Sequence, residues 1–248
     1  FTFNIAAPPF DDIRMRQAIS FAVNGPAISQ VIQPNSNVPG CGTAGPGVPG
    51  HDPDMCSNLF PYAPDQTAAL LTELGYADTN GDGLVDINGE NLVIPIEVWN
   101  LPEMPRVAEA VVSQLNDAGI GTELEVVEFG TWIDDFFASA EKMMGWTGFC
   151  GIGGTIDFWG ESSIFASSMN IVIPEAQQML TQASQIYDLD ERGAVIQEAA
   201  NMIYGEYVSL PIGFFDAYYA YNVSVKDMPI PTWWLNYVTD RSNVWISQ

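Results

Sequence analysis

Residues 3–28 read FNIAAPPFDDIRMRQAISFAVNGPAI, and this stretch decides the fold. Asp11 and Asp12 follow two prolines and a phenylalanine, and a carboxylate at that point can cap the first turn of a helix. Apolar residues then recur at the spacing of one helix face: Met15, Ala18, Ile19, Ala22 and Val23. The stretch therefore predicts a capped amphipathic helix that packs on a core.

Working outward from this helix, the pattern alternates between helices and strands. Further helices are predicted at 64–74, 105–118, 131–140 and 174–187, together with one that Asp190 begins. Strands are predicted at 92–99, 123–128 and 210–225, and Pro95 indicates an edge position for the first of them. Alternating helices and strands are typical of an α/β fold, so we expect an α/β lobe.

The charge is unusual because cations are scarce. The 248 residues include 31 acidic residues against 7 Lys and Arg, a net charge of −24. Nucleic acid binding is excluded, since phosphate contacts need clustered cations, and attachment to anionic lipid is equally disfavoured. The charge is compatible with solubility in a salty medium or with attraction of cationic ligands. No apolar run is long enough to span a bilayer.

Cysteine and histidine content limits the chemistry. Cys41 and Cys56 flank a loop rich in Gly and Pro, and we predict that they form a disulfide, which implies an oxidising compartment. Cys150 is expected to be a buried thiol. With His51 as the sole histidine, a two-His zinc site is impossible. The chain is therefore not expected to be an enzyme, although a carboxylate-pair glycoside hydrolase remains an alternative.

Residues 78–90, DTNGDGLVDINGE, carry oxygen-bearing side chains at calcium-loop spacing. Loop positions 1, 3, 5 and 9 are filled by the following residues: Asp78, Asn80, Asp82 and Asp86. Position 12, where a bidentate acid is expected, is Gly89. A structural Ca²⁺ and a metal-free turn both remain open, and no other cofactor is expected. A calcium-stabilised surface interaction module is accordingly a second alternative function.

The stretch at 3–28 resembles the segment, typically FNxxxPPFxDxRVRQAIxxAIDRxxI, of family 5 ABC-transporter solute-binding proteins of the oligopeptide- and dipeptide-binding type. Later segments resemble the same family in the same order: PYAPDQTAALLTELGYADTNGDG at 61–83, Leu115–Leu124, Asp188–Arg192 and Val208–Ile212. The resemblance covers essentially the whole chain. The opening motif is fairly specific, and the ordered set of segments is more so.

The resemblance implies a periplasmic-binding-protein type II (Venus flytrap) fold. Residues 1–214 would be the second, C-terminal ligand-binding lobe. Residues 215–248 would cross the hinge and complete the first lobe, whose N-terminal bulk would be a separate fragment of the same protein. The implied function is the periplasmic or extracellular solute-binding component of an ABC importer. Its partners would be the membrane permease subunits and a small ligand, either an oligosaccharide or a peptide.

The resemblance also indicates where the ligand binds. In peptide-binding relatives, a Trp after a strand is soon followed by an Asp that pairs with the ligand's α-ammonium. Here Trp146 is followed by Phe149 at that position, a departure that favours stacking on a sugar over ammonium capture. Asp157 could substitute for the missing carboxylate. Other candidate cleft residues, each with a core alternative, are Trp99, Asn100 and Trp159, whereas Trp132 is expected in the core.

Overall fold

The computed structural model describes residues 1–32, 40–146, 152–214, 220–227 and 244–246. The helices found there are α1 Ile13–Ala22, α2 Gly25–Ile32, α3 Met55–Leu59, α4 Pro64–Glu73, α5 Met104–Asp117, α6 Phe129–Phe137, α7 Ile152–Trp159, α8 Ile164–Ser168, α9 Pro174–Ala183 and α10 Leu189–Gly205. The strands are β1 Asp86–Ile87, β2 Glu90–Asn91, β3 Val93–Trp99, β4 Gly121–Val127, β5 Met143–Gly145, β6 Val225–Lys226 and β7 Trp245–Ile246. None of the described helices is both long and apolar enough to cross a membrane.

Helix α1 begins as the opening stretch predicts. The carboxylate of Asp12 accepts a hydrogen bond from the backbone N–H of Arg14 at 2.9 Å, which satisfies one of the free donors of the first turn. Behind this cap, Met15, Ala18 and Ile19 are fully buried. The helix is thus held by one polar contact at its start and by the burial of one apolar face.

The central sheet is parallel and has the order β4-β3-β5. Strand β3 pairs with β4 along its whole length, and β5 pairs only with Ile96–Val98. The prediction that Pro95 marks an edge strand is wrong, because β3 lies in the middle. Pro95 is tolerated there because β5 begins one residue further along, so its missing N–H interrupts no bond to that strand.

Antiparallel bridges extend the sheet beyond β5. Thr2 pairs with Met144 on one side and with Ser209 on the other. The N–H of Thr2 donates to the carbonyl of Met144 at 2.9 Å, and the N–H of Met144 donates back at 3.0 Å. The segment that precedes α1 and the segment that follows α10 are thereby joined to the parallel strands, so both ends of the 1–210 region meet in one sheet.

Two apolar cores lie on the two faces of this sheet. Alternate residues of β3, such as Ile94 and Ile96, face α5 and its buried residues Val111 and Leu115. The opposite face is covered by α6 and by the helices α7 to α10, and its core includes Trp132. Helices on both faces of a parallel sheet define a doubly wound α/β arrangement, which confirms the predicted fold class.

The predicted disulfide is present between Cys41 and Cys56, with an S–S distance of 2.07 Å. It closes the Gly/Pro-rich loop, and Gly50 of that loop packs against Gly193 of α10. A side chain at Gly193 would meet the backbone N of Gly50 at 2.9 Å, closer than side chains normally come. The disulfide and this close approach together fix the loop on the helical layer.

Two local predictions are wrong. The last predicted helix cap is Asp188 rather than Asp190, because the Asp188 carboxylate accepts from the N–H groups of Asp190 and Glu191. The predicted strand at 210–225 is also not seen, since the described residues 211–214 and 220–222 have no regular structure. The predicted division at residues 214 and 215 falls beside residues outside the described ranges, and it stays a prediction.

Candidate ligand-binding edge of the sheet

The carboxyl ends of β3, β4 and β5 meet at one edge of the sheet because the three strands are parallel. Strand β3 ends at Trp99 and is followed by Asn100, and β5 ends at Gly145 and is followed by Trp146. After β3 the chain forms β4, which pairs with one side of β3. After β4 it crosses back and forms β5, which pairs with the other side of β3. The connections that follow β3 and β4 therefore run in opposite directions across the sheet. Open α/β sheets bind ligands in the crevice outside the strands at such a point.

Asn100 is fixed at this edge by bonds to β4. Its backbone N–H donates to the carbonyl of Val127 at 3.0 Å, and its side-chain Nδ2 donates to Oε1 of Glu128 at 2.8 Å. Both side chains are exposed. Glu128 is not among the site residues predicted from the sequence; the available signal is its position just after a predicted strand, as for Asn100.

Trp99 lies against an aromatic cluster at the start of α6. Its ring centroid is 4.6 Å from that of Phe129 and 4.9 Å from that of Trp132, with edge-to-face geometry in both cases. Trp132 is buried in the core, as expected, whereas Phe129 is 52% exposed. The indole N–H of Trp99 is buried and has no hydrogen-bond acceptor among the described residues.

Trp146 is partly buried and its ring orientation is fixed on two sides. Its indole N–H donates to Oγ1 of Thr2 at 2.6 Å, and its ring stacks on Phe158 with a centroid distance of 4.3 Å. Gly145 precedes it because a side chain there would lie 2.6 Å from atoms of both Phe1 and Val98. The indole is therefore held rigidly at the carboxyl end of β5.

The remaining candidates differ in where they lie. Trp159 is only 2% exposed and packs edge-to-face on Tyr204, so we assign it to the core instead of the cleft. Asp157 is exposed on α7, where no described contact links it to Trp99 or Asn100. Phe149, the residue that departs from the family pattern, lies outside the described residues, as does Cys150.

A charged cluster lies beneath the edge, on the α6 face of the sheet. The ammonium of Lys142 is 2.5 Å from Oε2 of Glu97, 2.6 Å from Glu125 and 3.4 Å from Asp135. Burial raises the pKa of Glu97, and the hydrogen bond from Lys142 opposes that rise. Burial acts to lower the pKa of Lys142, but its bonds to Glu125 and Glu97 outweigh burial and raise it. The cluster therefore keeps Lys142 charged and engaged.

The loop at 78–90 is closed by its own hydrogen bonds. Asp78 accepts from the N–H groups of Gly81 and Gly83, and Asp82 accepts from that of Leu84. Asn80 accepts from the N–H of Asp82, and Asp86 accepts from both the backbone and the hydroxyl of Thr79. Across the described part of the chain, no three acidic, His or Cys side chains converge as a metal site. A bound Ca²⁺ and a metal-free turn both stay predictions.

A family model described as bacterial extracellular solute-binding proteins, family 5 Middle, matches residues 1–154, more than half of the chain. Among curated proteins, the chain is similar to the di/tripeptide-binding protein 3 of Pseudomonas aeruginosa, with 24% identity over 236 residues. That match covers 92% of this chain and 42% of the relative. The chain thus spans less than half the length of that relative.

Two solved structures have the same fold. The oligopeptide-binding protein AppA of Bacillus subtilis, in complex with a nonapeptide, matches with a TM-score of 0.71 and 17% identity, covering all of this chain and 50% of that one. A periplasmic oligopeptide-binding protein of Thermotoga maritima with bound mannohexaose matches with a TM-score of 0.68 and 19% identity, covering 85% and 42%. The described lobe is thus a periplasmic-binding-protein lobe.

Proposed function

Because the chain belongs to the bacterial extracellular solute-binding proteins of family 5, we propose that it supplies one wall of a solute-binding cleft. The proposed protein captures a small polar solute outside the cytoplasmic membrane and delivers it to the permease subunits of an ABC importer. Residues 1–214 would form the second lobe. Residues 215–248 would cross to the first lobe, which an N-terminal portion of the same protein would complete.

The observation that carries this proposal is the convergence at the carboxyl edge of the sheet. Trp99 is the last residue of the central strand β3 and Asn100 follows it, and Trp146 follows the neighbouring strand β5. These strand ends lie where the connections of the sheet change direction, which is where open α/β sheets bind ligands. Aromatic surface combined with a few fixed polar groups is the usual composition of a site for small molecules. Phe149 and Asp157 stay candidates for the same cleft, the first from the resemblance alone.

Two ligand classes fit the proposal. The relatives with solved structures include one bound to a nonapeptide and one bound to mannohexaose. Half-exposed aromatic rings beside an amide and a carboxylate suit both a peptide and an oligosaccharide. The proposal therefore covers both classes, and neither requires a metal or a cofactor.

The ion pairs and hydrogen bonds of the acidic side chains favour a binding function over a catalytic one. Of the carboxylates near the edge, Glu97, Glu125 and Asp135 are all bound to Lys142. Glu128, the carboxylate that directly follows β4, is held by Asn100. Carboxylates engaged in this way are less suited to the acid and base roles that a glycoside hydrolase needs.

The proposal is tested with the protein purified at its native length. Thermal unfolding is measured against a panel of oligopeptides and oligosaccharides, because a ligand that binds the native state raises Tm, and the stabilisation grows with the logarithm of its concentration relative to Kd. Small-angle scattering then reports whether a hit also reduces the radius of gyration, as lobe closure requires. A panel in which no solute raises Tm contradicts the proposed function.

A further inference from the structure

Asn100 and Glu128 together present hydrogen-bond acceptors to solvent. The bond from Asn100 Nδ2 to Glu128 Oε1, 2.8 Å long, orients the amide and the carboxylate side by side. Among the described residues, neither Oδ1 of Asn100 nor Oε2 of Glu128 receives a further hydrogen bond, and both side chains are exposed. A pair that offers acceptors and a negative charge fits a group that carries several N–H donors and a positive charge.

An exposed aromatic ring follows this pair in the chain. Phe129 is the residue after Glu128 and is 52% exposed. Its ring contacts that of Trp99 edge-to-face, with a centroid distance of 4.6 Å, and stacks toward that of Trp132 at 6.2 Å. The exposed part of an aromatic ring attracts ammonium and guanidinium groups and packs against their aliphatic stems. Because Glu128 and Phe129 are consecutive and both side chains are exposed, a carboxylate and an aromatic ring are within reach of one cation that has an apolar stem.

No cation of the described residues lies within ion-pair distance of Glu128. The ion pairs that the described residues form are that of Arg14 with Asp12 and those of Lys142 with its three carboxylates. Lys142 is fully engaged by Glu97, Glu125 and Asp135, so it cannot turn to the edge without leaving the buried Glu97 unpaired. The net charge of −24 adds a long-range field that draws cations toward the protein and repels anions.

We propose that the edge selects a solute carrying a guanidinium or ammonium group, which pairs with Glu128 and packs on Phe129. This inference rests on the proposed function, because it names the ligand class of the same edge. Asn100 is a positioning residue for the Glu128 carboxylate. Anionic solutes are excluded by the same charge. Neutral sugars carry no positive charge that could compensate the carboxylate of Glu128.

Affinity of the native-length protein for three peptides tests the inference. The peptides are N-acetyl-Ala-Xaa-Ala-amides in which Xaa is arginine, its uncharged analogue citrulline, or glutamate, so the central side chain carries the sole charge. Titration calorimetry is expected to give a Kd at least about tenfold lower for arginine than for citrulline. Raising the ionic strength from about 0.05 to about 0.5 M should weaken arginine binding selectively.

Glu128→Gln tests the assigned residue, because glutamine keeps the oxygen that accepts from Asn100 and removes the charge. It should remove most of the preference for arginine over citrulline, because citrulline loses a neutral contact whereas arginine loses a charged one. Glu123→Gln is the matched control: Glu123 is an exposed residue of β4, and its loss should leave the preference intact. Equal affinity for arginine and citrulline, a preference for glutamate, or an unaltered preference in Glu128→Gln contradicts the inference.

The two proposals fail in different ways. If a neutral oligosaccharide such as mannohexaose binds and none of the three peptides does, the solute-binding function stands and the cation inference is wrong. If neither the peptides nor any oligosaccharide binds, both are wrong.

Discussion

The ammonium of Lys142 lies 2.5 Å from a carboxylate oxygen of Glu97, a side chain with no solvent exposure in the middle of β3. Glu97 stands directly opposite Glu125 in the parallel pairing of β3 with β4. Two like charges at such a position destabilise a sheet unless a cation lies between them, and Lys142 provides that cation. One lysine thus separates the facing carboxylates on this face of the sheet, just below the proposed ligand edge.

Lys142→Met is expected to lower the free energy of unfolding by about 3–5 kcal/mol, because it leaves a buried carboxylate without its partner. The loss should shrink as the pH falls. Without Lys142 the pKa of Glu97 rises further, and a protonated Glu97 no longer needs a cation. Urea unfolding at several pH values measures both effects.

Two variants control this prediction. Lys226→Met removes the other lysine, which donates to the carbonyl of Val223 on the surface, and should change stability by no more than about 0.5 kcal/mol. The double variant Lys142→Met with Glu97→Gln should recover part of the loss. A loss below about 1 kcal/mol in Lys142→Met would mean that the cluster is well hydrated.

Most helices could be predicted from the sequence because their ends carry local signals. Asp12 caps α1 through a contact two residues away, and Gly75, just past the end of α4, adopts a positive φ of 88° that favours glycine. Strands β3 and β4 were likewise recognisable. β5 was not, because three residues are too few for a periodic pattern, and its place is set by pairing with Ile96–Val98.

The candidate site could be located in part for the same reason, and its role in binding stays a prediction. Trp99 ends β3, Asn100 follows it and Trp146 follows β5, and the parallel topology brings those strand ends to one edge. Trp159 looked similar in sequence, but burial is decided by the tertiary packing of α7 on α10, which no local pattern encodes. Glu128 was missed because its role depends on which strand lies beside β3, and the order β4-β3-β5 is a property of the folded sheet.

Removing the disulfide is expected to destabilise the fold. Cys41 and Cys56 are separated by 15 residues, and opening a loop of that length costs about 3 kcal/mol in the chain-entropy description. The Cys41→Ser, Cys56→Ser double variant should lose that amount in urea unfolding. Adding reductant should lower the wild type to the same value and leave the double variant unchanged. A wild type that is insensitive to reductant, with the bond confirmed open, would contradict this account.

The acidic loop is expected to need no calcium. Because Asp78, Asp82 and Asp86 already accept hydrogen bonds within the loop, a chelator should change Tm by less than about 1 °C, and added Ca²⁺ should do the same. Calorimetric titration with CaCl₂ checks for binding directly. A rise in Tm that saturates with Ca²⁺ and is reversed by chelator would show that the loop is a metal site.

The central claim is that the carboxyl edge of the sheet binds the solute, and the affinity of single variants tests it most directly. For whichever solute the native-length protein binds, Trp99→Leu and Asn100→Ala should each raise Kd about tenfold or more. Trp159→Phe, in the core, should lower the free energy of unfolding and leave Kd unchanged. Wild-type affinity in both edge variants would contradict the claim.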